Sequence, residues 1–555
     1  MDISNEQLAE LIFPEVQETI EDLENRFPPR NLKEGAEVTR FAPSPTGFLH
    51  TGSLFTSMIC KKVASQTGGV FFVRLEDTDT KREIEGSGKE LLEQLHLFNI
   101  VPDEGYLGDK EVGSYGPYVQ SKRADIYKVV IKHLLKIGRA YPCFCTPEDL
   151  STIRTIQEKN KILPGYYGQF AKCRYLTNEE RYEKIKSGVP FVIRFKSSGN
   201  HIRKIKVHDL VHGNFEIAQN DQDIVIYKSD GLPTYHFAHV VDDHFMRTTT
   251  VIRGEEWIAS LPIHLELFET LSWKAPNYAH LPVIQKLDEN GHKRKLSKRL
   301  DSEAAVSFFL KDGYPTEALI MYLMTIANSN FEEWIFAHKF TDMDEFIFSF
   351  SKMSLDGALF DIGKLNFFSR EILARKTKEE ILSLALDYAT KYNPTLLSLI
   401  NRSHDYFMDI MNIEREKDNP RKDYEKLGNL DTLINFFYND LYDEIAPCEI
   451  KFNEKFDANI IKTVLTDLKD ELSLDVDEQT WFSKIKEIGE KHQFAPNGKL
   501  YKANPESYVG SVSDVAEMLR IAITTRKNSP NLYYVMKVLG IEECHRRLNF
   551  VISLL

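Results

Sequence analysis

Several things are missing from this chain, and each absence narrows what it can be. Nowhere in its 555 residues is there an uninterrupted apolar run of the ~18 positions that a membrane-spanning helix needs. The segment Met1–Pro29 is acidic and lacks the basic start and apolar stretch of a secretory signal. Cysteine is scarce, six in all with three clustered, which is no extracellular disulfide framework. Cytoplasm is therefore the expected compartment. A positive balance is absent as well: 70 Lys and Arg face 83 Asp and Glu, a net charge of -13. That excludes no RNA partner, because a binding face needs only local basic density. Internal repeats and low-complexity tracts are also lacking, so repeat architectures fall away.

What is present suits a globular protein, with 42% apolar and 28% charged residues. The length exceeds one compact core and predicts two to four domains. Residues 1–37 read as an amphipathic helical leader that stops at Phe27-Pro28-Pro29. A strand follows at Val38–Ala42. Beyond a Pro-Ser-Pro-Thr-Gly turn, Leu54, Phe55, Met58, Ile59 and Val63 fall at helical spacing, closed by Gly68-Gly69. Val70–Leu75 reads as a strand buried on both faces. Such β-α-β units predict a parallel sheet with its ligand site at the carboxyl ends of the strands. The pattern returns with strands at Ile224–Tyr227 and Thr250–Arg253 and a helix at Leu261–Leu271. Residues 135–222 interrupt it and read as an insertion. Beyond about residue 370 helices take over. Ile461, Val464, Leu465, Leu468 and Leu472 mark one face; Val515, Met518, Leu519 and Ala522 mark another, with Ser513 as the expected N-cap.

Two polar segments carry the chemistry. Arg40 to Ser53 links a strand to a helix, whose free N–H groups and positive dipole end suit a phosphate. His50 can donate to phosphate oxygens, and Gly52 lets a flat base approach the backbone. The second segment, Lys293-Arg-Lys-Leu-Ser-Lys-Arg299, concentrates five positive charges on a loop. Taken alone, the first reads as a surface turn and the second as a solvated basic run. Glu76, between them, is fit to hold an ammonium, and Arg40, which opens the first segment, and Arg253 are fit to hold a planar carboxylate. Thr234-Tyr-His-Phe-Ala-His-Val-Val-Asp-Asp243 and Val251-Ile-Arg-Gly-Glu-Glu-Trp257 complete the set. Asp77 and Asp79 suit helix capping, and His236 is as consistent with structure as with function.

Together, Pro-Ser-Pro-Thr-Gly-Phe-Leu-His50-Thr-Gly-Ser53 and Lys295-Leu-Ser-Lys-Arg299 resemble the paired signatures of class I aminoacyl-tRNA synthetases, in the glutamyl/glutaminyl branch and its bacterial glutamyl form. The resemblance covers nearly the whole chain from Val38 and is diffuse between about 375 and 500. It implies a ligase that couples ATP, with Mg2+, to attachment of L-glutamate to tRNA through a glutamyl-adenylate. As catalytic residues it implies His50, Gly52, Lys295, Ser297 and Lys298, the last as main phosphate ligand. For glutamate it implies Arg40, Ser44, Glu76, Tyr235, His239 and Arg253; for ATP, Ala42, His50, Gly52, Ser53, Glu256, Trp257 and Lys298. Thr51 and Ser53 are replacements common in the branch, whereas many relatives carry asparagine at position 239.

The implied fold is α/β: a Rossmann-type parallel-sheet catalytic domain, an inserted acceptor-binding domain and a C-terminal helical anticodon-binding domain. The boundaries are a helical extension at 1–37, first catalytic half at 38–134, insertion at 135–222, second half at 223–290, signature loop and stem contact at 291–372, and helical domain at 373–555. Arg520, Arg526, Arg546 and Arg547 are candidates for RNA contact or ordinary surface residues. Cys143, Cys145 and Cys173 offer three thiolates to a tetrahedral zinc, with Tyr167 as the fourth ligand some relatives supply. A reduced, packed cysteine cluster fits the same spacing. The expected partners are tRNA for glutamate, with tRNA for glutamine open, and no membrane; a monomer is expected. A glutaminyl enzyme, a shorter glutamyl-transfer enzyme and an inactive RNA-binding paralogue are the alternatives. The Tyr-His block, the long helical tail and the intact signatures count against them in turn.

Overall fold

A computed structural model describes residues 3–45, 47–79, 84–297 and 299–555. The chain forms two compact units, Met1–Phe308 with Ile320–Asp361, and Phe309–Leu319 with Ile362–Leu555.

The first unit is organised on parallel strands. β1 (Val38–Phe41) lies parallel to β2 (Val70–Val73), with Val38 beside Val70 and Phe41 beside Val73. β2 in turn lies parallel to β3 (Glu104–Tyr106). The helix α1 (Thr51–Thr67) connects the first two strands. It ends where Gly68 takes a left-handed conformation, φ 67°, which a side chain would resist. Leu54, Phe55, Met58 and Ile59 are buried along α1, each worth about 1.5–3 kcal/mol of apolar burial. Later in the chain α2 (Tyr235–Phe245) precedes β4 (Thr250–Gly254), which lies parallel to β5 (Asn277–Leu281). The Thr249 N–H donates to Val38 O at 3.0 Å and the Val38 N–H to Thr249 Oγ1 at 2.7 Å. These bonds set the two parallel groups edge to edge, so the carboxyl ends of β1, β2 and β4 share one side.

The inserted segment contains Ala140–Cys143, Val192–Phe195 and Val225–Tyr227 as an antiparallel sheet, and a hairpin of Lys204–Asp209 with Gly213–Ala218. The strand expected at Ile224–Tyr227 is thus not part of the parallel sheet: it pairs with Val192–Phe195. Ile193, Phe195 and Ile226 also join the core built on Phe72, Val130, Leu134, Phe237 and Val241. The leader is two short helices, Asn5–Ile12 and Ile20–Arg26, each opened by a reciprocal capping box, Ser4 with Gln7 and Thr19 with Asp22.

The second unit is predominantly helical around one core. Helix Ala458–Glu471 buries Ile461, Val464, Leu465 and Leu468 on its expected face. Helix Val512–Thr524 buries Val515, Met518, Leu519 and Ala522, but its N-cap is Ser511, paired with Asp514 in a capping box, and not Ser513. Among the described residues no helix is long and apolar enough to cross a membrane.

Candidate active site

The first signature sits on the β1–α1 turn. His50 is the N-cap of α1, and its Nδ1 accepts the Gly52 N–H at 2.9 Å. In the neutral ring the proton is then on Nε2, the donor that an anionic oxygen requires. A Cβ on Gly52 would stand 3.2 Å from His50 Nδ1 and press on this cap. Ala42 and Ser53 are half-buried nearby in the chain and Ser44 is exposed.

The segment that follows the second signature is bound to the first. Thr51 Oγ1 donates to Glu303 O at 2.6 Å, the Val306 N–H to Leu49 O at 3.1 Å, and His50 forms a β-bridge with Ala305. Asp301, which the sequence did not single out, organises the loop between. It accepts from Arg294 at 2.6 and 2.8 Å and from the Ser297 N–H at 2.9 Å. These bonds, Arg294 first, hold its carboxyl well below the usual range. Lys295 ends a short strand, Lys293–Lys295, and reaches Glu256 at 3.1 Å. Lys298 lies outside the described residues.

At the strand ends a buried charge network forms. Arg40, on β1, donates to Asp243 at 3.1 and 3.3 Å. Arg74 follows β2 and donates to Asp243 at 2.8 Å and Glu76 at 3.0 Å. Burial pushes the Glu76 carboxyl up, while Arg74 and Arg40 oppose that shift. Asp77 accepts from the backbone N–H and the hydroxyl of Ser121, which tethers the segment after β2. Tyr235, at the start of α2, packs against Trp257 with ring centroids 4.4 Å apart. Arg253, on β4, is 6% exposed. His239 lies on the same helix as Tyr235, the two rings 5.8 Å apart. It has no exposed surface, and its nitrogens engage Asp243 at 3.0 Å and the Tyr278 hydroxyl at 3.2 Å.

In the insertion, the Sγ atoms of Cys143, Cys145 and Cys173 all lie within 4.8 Å of one another. Cys145 and Cys173 are 3.7 Å apart, against about 3.8 Å for the edge of a tetrahedron with Zn–S bonds of ~2.3 Å. The fourth donor is Tyr166, whose hydroxyl is 3.4 Å from Cys143 Sγ and 3.2 Å from Cys145 Sγ. The expected Tyr167 points elsewhere, donating to Leu163 O at 2.6 Å. Backbone at 167 is extended, so adjacent tyrosines face opposite sides and only one meets the thiols. Three thiols and a phenol in this arrangement fit a zinc ion.

Of the arginines considered for RNA contact, Arg547 is fully buried and bonded to Glu543, Ile523 O and Asn439. Arg526 holds the carbonyls of Thr432 and Leu433, and Arg520 holds Ser529 and Pro530. These three brace the helical unit; Arg546 is the exposed one, paired with Glu543 and Asp443.

Residues 37–367 match the family model of tRNA synthetases class I (E and Q), catalytic domain, and residues 509–552 match an anticodon binding domain. The chain belongs to the class I aminoacyl-tRNA synthetases of the glutamate/glutamine branch. Within that branch the chain is similar to glutamate–tRNA ligases. The one from Clostridium perfringens (strain 13 / Type A) is 44% identical over 547 residues, covering 98% of this chain and 100% of its own. That of Sorangium cellulosum is 39% identical, covering 95% and 97%. The crystal structure of glutamate-tRNA synthetase from Elizabethkingia anophelis superposes with a TM-score of 0.71 at 28% identity, over 93% of this chain and all of that one.

Proposed function

We propose that this protein attaches L-glutamate to the 3′ end of tRNA in two ATP-dependent steps. A carboxylate oxygen of glutamate attacks the α-phosphorus of ATP, and pyrophosphate leaves. The terminal ribose hydroxyl of tRNA then attacks the glutamyl carbonyl, and AMP leaves. Full-length identity of 44% with a glutamate–tRNA ligase is the observation that carries the choice of reaction.

His50, through its Nε2–H, binds the triphosphate at the head of α1, and Gly52 and Ser53 beside it leave room for the nucleotide. Lys295, Ser297 and Lys298 offset charge growing on the phosphates. Mg2+ bound through the nucleotide phosphates supplies further charge there. Ala42, Glu256 and Trp257 face the nucleotide. Arg40, Ser44, Glu76, Tyr235 and Arg253 bind glutamate, with Glu76 on the ammonium and Arg253 on the side-chain carboxylate. His239 acts one layer back, through Asp243 and Tyr278. Positioning and electrostatics carry the rate, and in the second step the hydroxyl proton passes to the departing phosphate of AMP.

The insertion receives the acceptor end, where Cys143, Cys145, Cys173 and Tyr166 would hold a zinc ion that fixes its shape, and the helical unit receives the anticodon. The enzyme works as a cytoplasmic monomer. Substituting Arg253→Gln tests the reading. Glutamate activation should fall by about 10⁴-fold, since a site built to pair with a group rejects its absence strongly. Unchanged glutamate kinetics would overturn the assignment. Charging of the two purified tRNAs decides whether the glutamine acceptor is also a substrate.

A further inference from the structure

Arg253 is held in an unusual way. Its neighbours in the site, Arg40 and Arg74, are anchored by carboxylates. Among the described residues no carboxylate lies within ion-pair distance of Arg253. Instead its Nε donates to His280 Nε2 at 3.0 Å, and both terminal nitrogens lie 3.3 Å from His264 Nδ1. The Tyr278 ring lies beneath it, 5.0 Å from the guanidinium carbon, and Trp257 O is 3.5 Å away. Both histidines are fully buried.

A guanidinium has donors only, so His280 Nε2 and His264 Nδ1 must both present lone pairs. That fixes each ring as neutral and fixes its tautomer. His280 then carries its proton on Nδ1, which donates to Asp209 at 2.7 Å. His264 carries its proton on Nε2, which donates to His236 Nδ1 at 3.0 Å. Burial, the dominant cause, keeps all three imidazoles neutral, and the charge of Arg253 reinforces it.

Neutral acceptors and carboxylates orient a guanidinium equally well but differ in charge. A carboxylate would cancel the charge of Arg253 and repel a second carboxylate from the pocket, whereas an imidazole does neither. We propose that His264 and His280 are positioning residues for specificity: they fix Arg253 through neutral nitrogen acceptors and leave its charge uncancelled for the side-chain carboxylate of the amino acid. This rests on the reading of Arg253 as the glutamate ligand.

The test compares His264→Asp, His264→Ala and His264→Asn in tRNA-dependent ATP–pyrophosphate exchange, with glutamate and with glutamine. Asp adds a carboxylate beside Arg253, Ala removes the acceptor, and Asn returns a neutral oxygen near the position of Nδ1. Loss of a hydrogen bond to a charged group predicts a rise of about tenfold or more in KM for glutamate in the Ala variant. The Asp variant should show a larger rise and weaker discrimination against glutamine. In both, KM for ATP should stay within about threefold of wild type. Asn should recover most of the loss. The proposal is overturned if Asp or Ala leaves KM for glutamate at the wild-type value, if KM for ATP rises in parallel, or if Asn is as impaired as Ala. Should Asp not fold, the Ala–Asn pair decides alone. A wild-type enzyme without glutamate-dependent exchange would instead overturn the functional reading itself.

Discussion

Replacing Asp243 by asparagine should destabilise the first unit severely, and the magnitude follows from who loses a partner. The Asp243 carboxylate is buried and accepts from Arg40, Arg74 and Thr248, with His239 Nδ1 at 3.0 Å. Removing one member of a buried ion pair costs about 3–5 kcal/mol, because the other charge is left uncompensated. Arg74 keeps Glu76 at 3.0 Å and Asp242 at 3.7 Å. Arg40 keeps no carboxylate within ion-pair distance among the described residues. One stranded charge, not two, places the cost at the lower end, about 3 kcal/mol. That is a large share of the ~5–15 kcal/mol that holds a domain folded. Urea denaturation followed by tryptophan fluorescence measures it. Trp257, Trp273 and Trp334 lie in the first unit and Trp481 alone in the second, so the signal mostly reports the right unit. The urea midpoint should fall by about 1 M or more. The exposed pair Arg546–Asp443, at 2.8 Å, is the control: Asp443→Asn should cost at most about 1 kcal/mol. An Asp243→Asn variant no less stable than that control would refute the reasoning.

Three further outcomes are expected. Protein prepared without chelator should carry about one zinc per chain, lost in Cys173→Ala together with several degrees of melting temperature, whereas less than about 0.2 zinc would show a packed thiol cluster instead. Burial lowers the His236 pKa to about 4 from an ordinary 6.5. The unfolded chain therefore takes up this proton first as pH falls. The contribution is complete above pH 6.5 and is lost between 6.5 and 4, up to about 3 kcal/mol. A His236→Gln variant should flatten that part of the stability profile, and an unchanged slope would refute the origin. Asp301→Ala should release Arg294 and Ser297 and slow adenylate formation by about 10–100-fold with KM for glutamate nearly unchanged; rapid-quench measurement of the first step checks it.

The strand–turn–helix of the first signature was legible because every local cue agrees: an apolar strand, a turn, helical spacing and a terminal glycine. The helical faces at 461–468 and 515–522 were legible for the same reason. Ser513 reads as the cap from the sequence because it precedes the apolar face. The cap forms at Ser511 because Asp514 stands at the position that completes a capping box. Val225–Tyr227 was recognisable as a strand, but three residues carry no record of their partner, and it joined the antiparallel sheet of the insertion. Tyr166 and Tyr167 are indistinguishable in sequence; extended backbone decides which one faces the thiols. His264, His280 and Asp209 escaped notice because their meaning lies in contacts across 11 to 71 residues of chain. Motif reading finds the groups that meet the substrate, and long-range packing selects those that hold them.

The central claim is that glutamate is the amino acid activated and tRNA the acceptor. ATP–pyrophosphate exchange with each of glutamate and glutamine, with and without tRNA, measures it directly. The account predicts exchange with glutamate when tRNA is present and at least about 10³-fold less with glutamine. No glutamate-dependent exchange in the presence of tRNA, or exchange favouring glutamine, would contradict it.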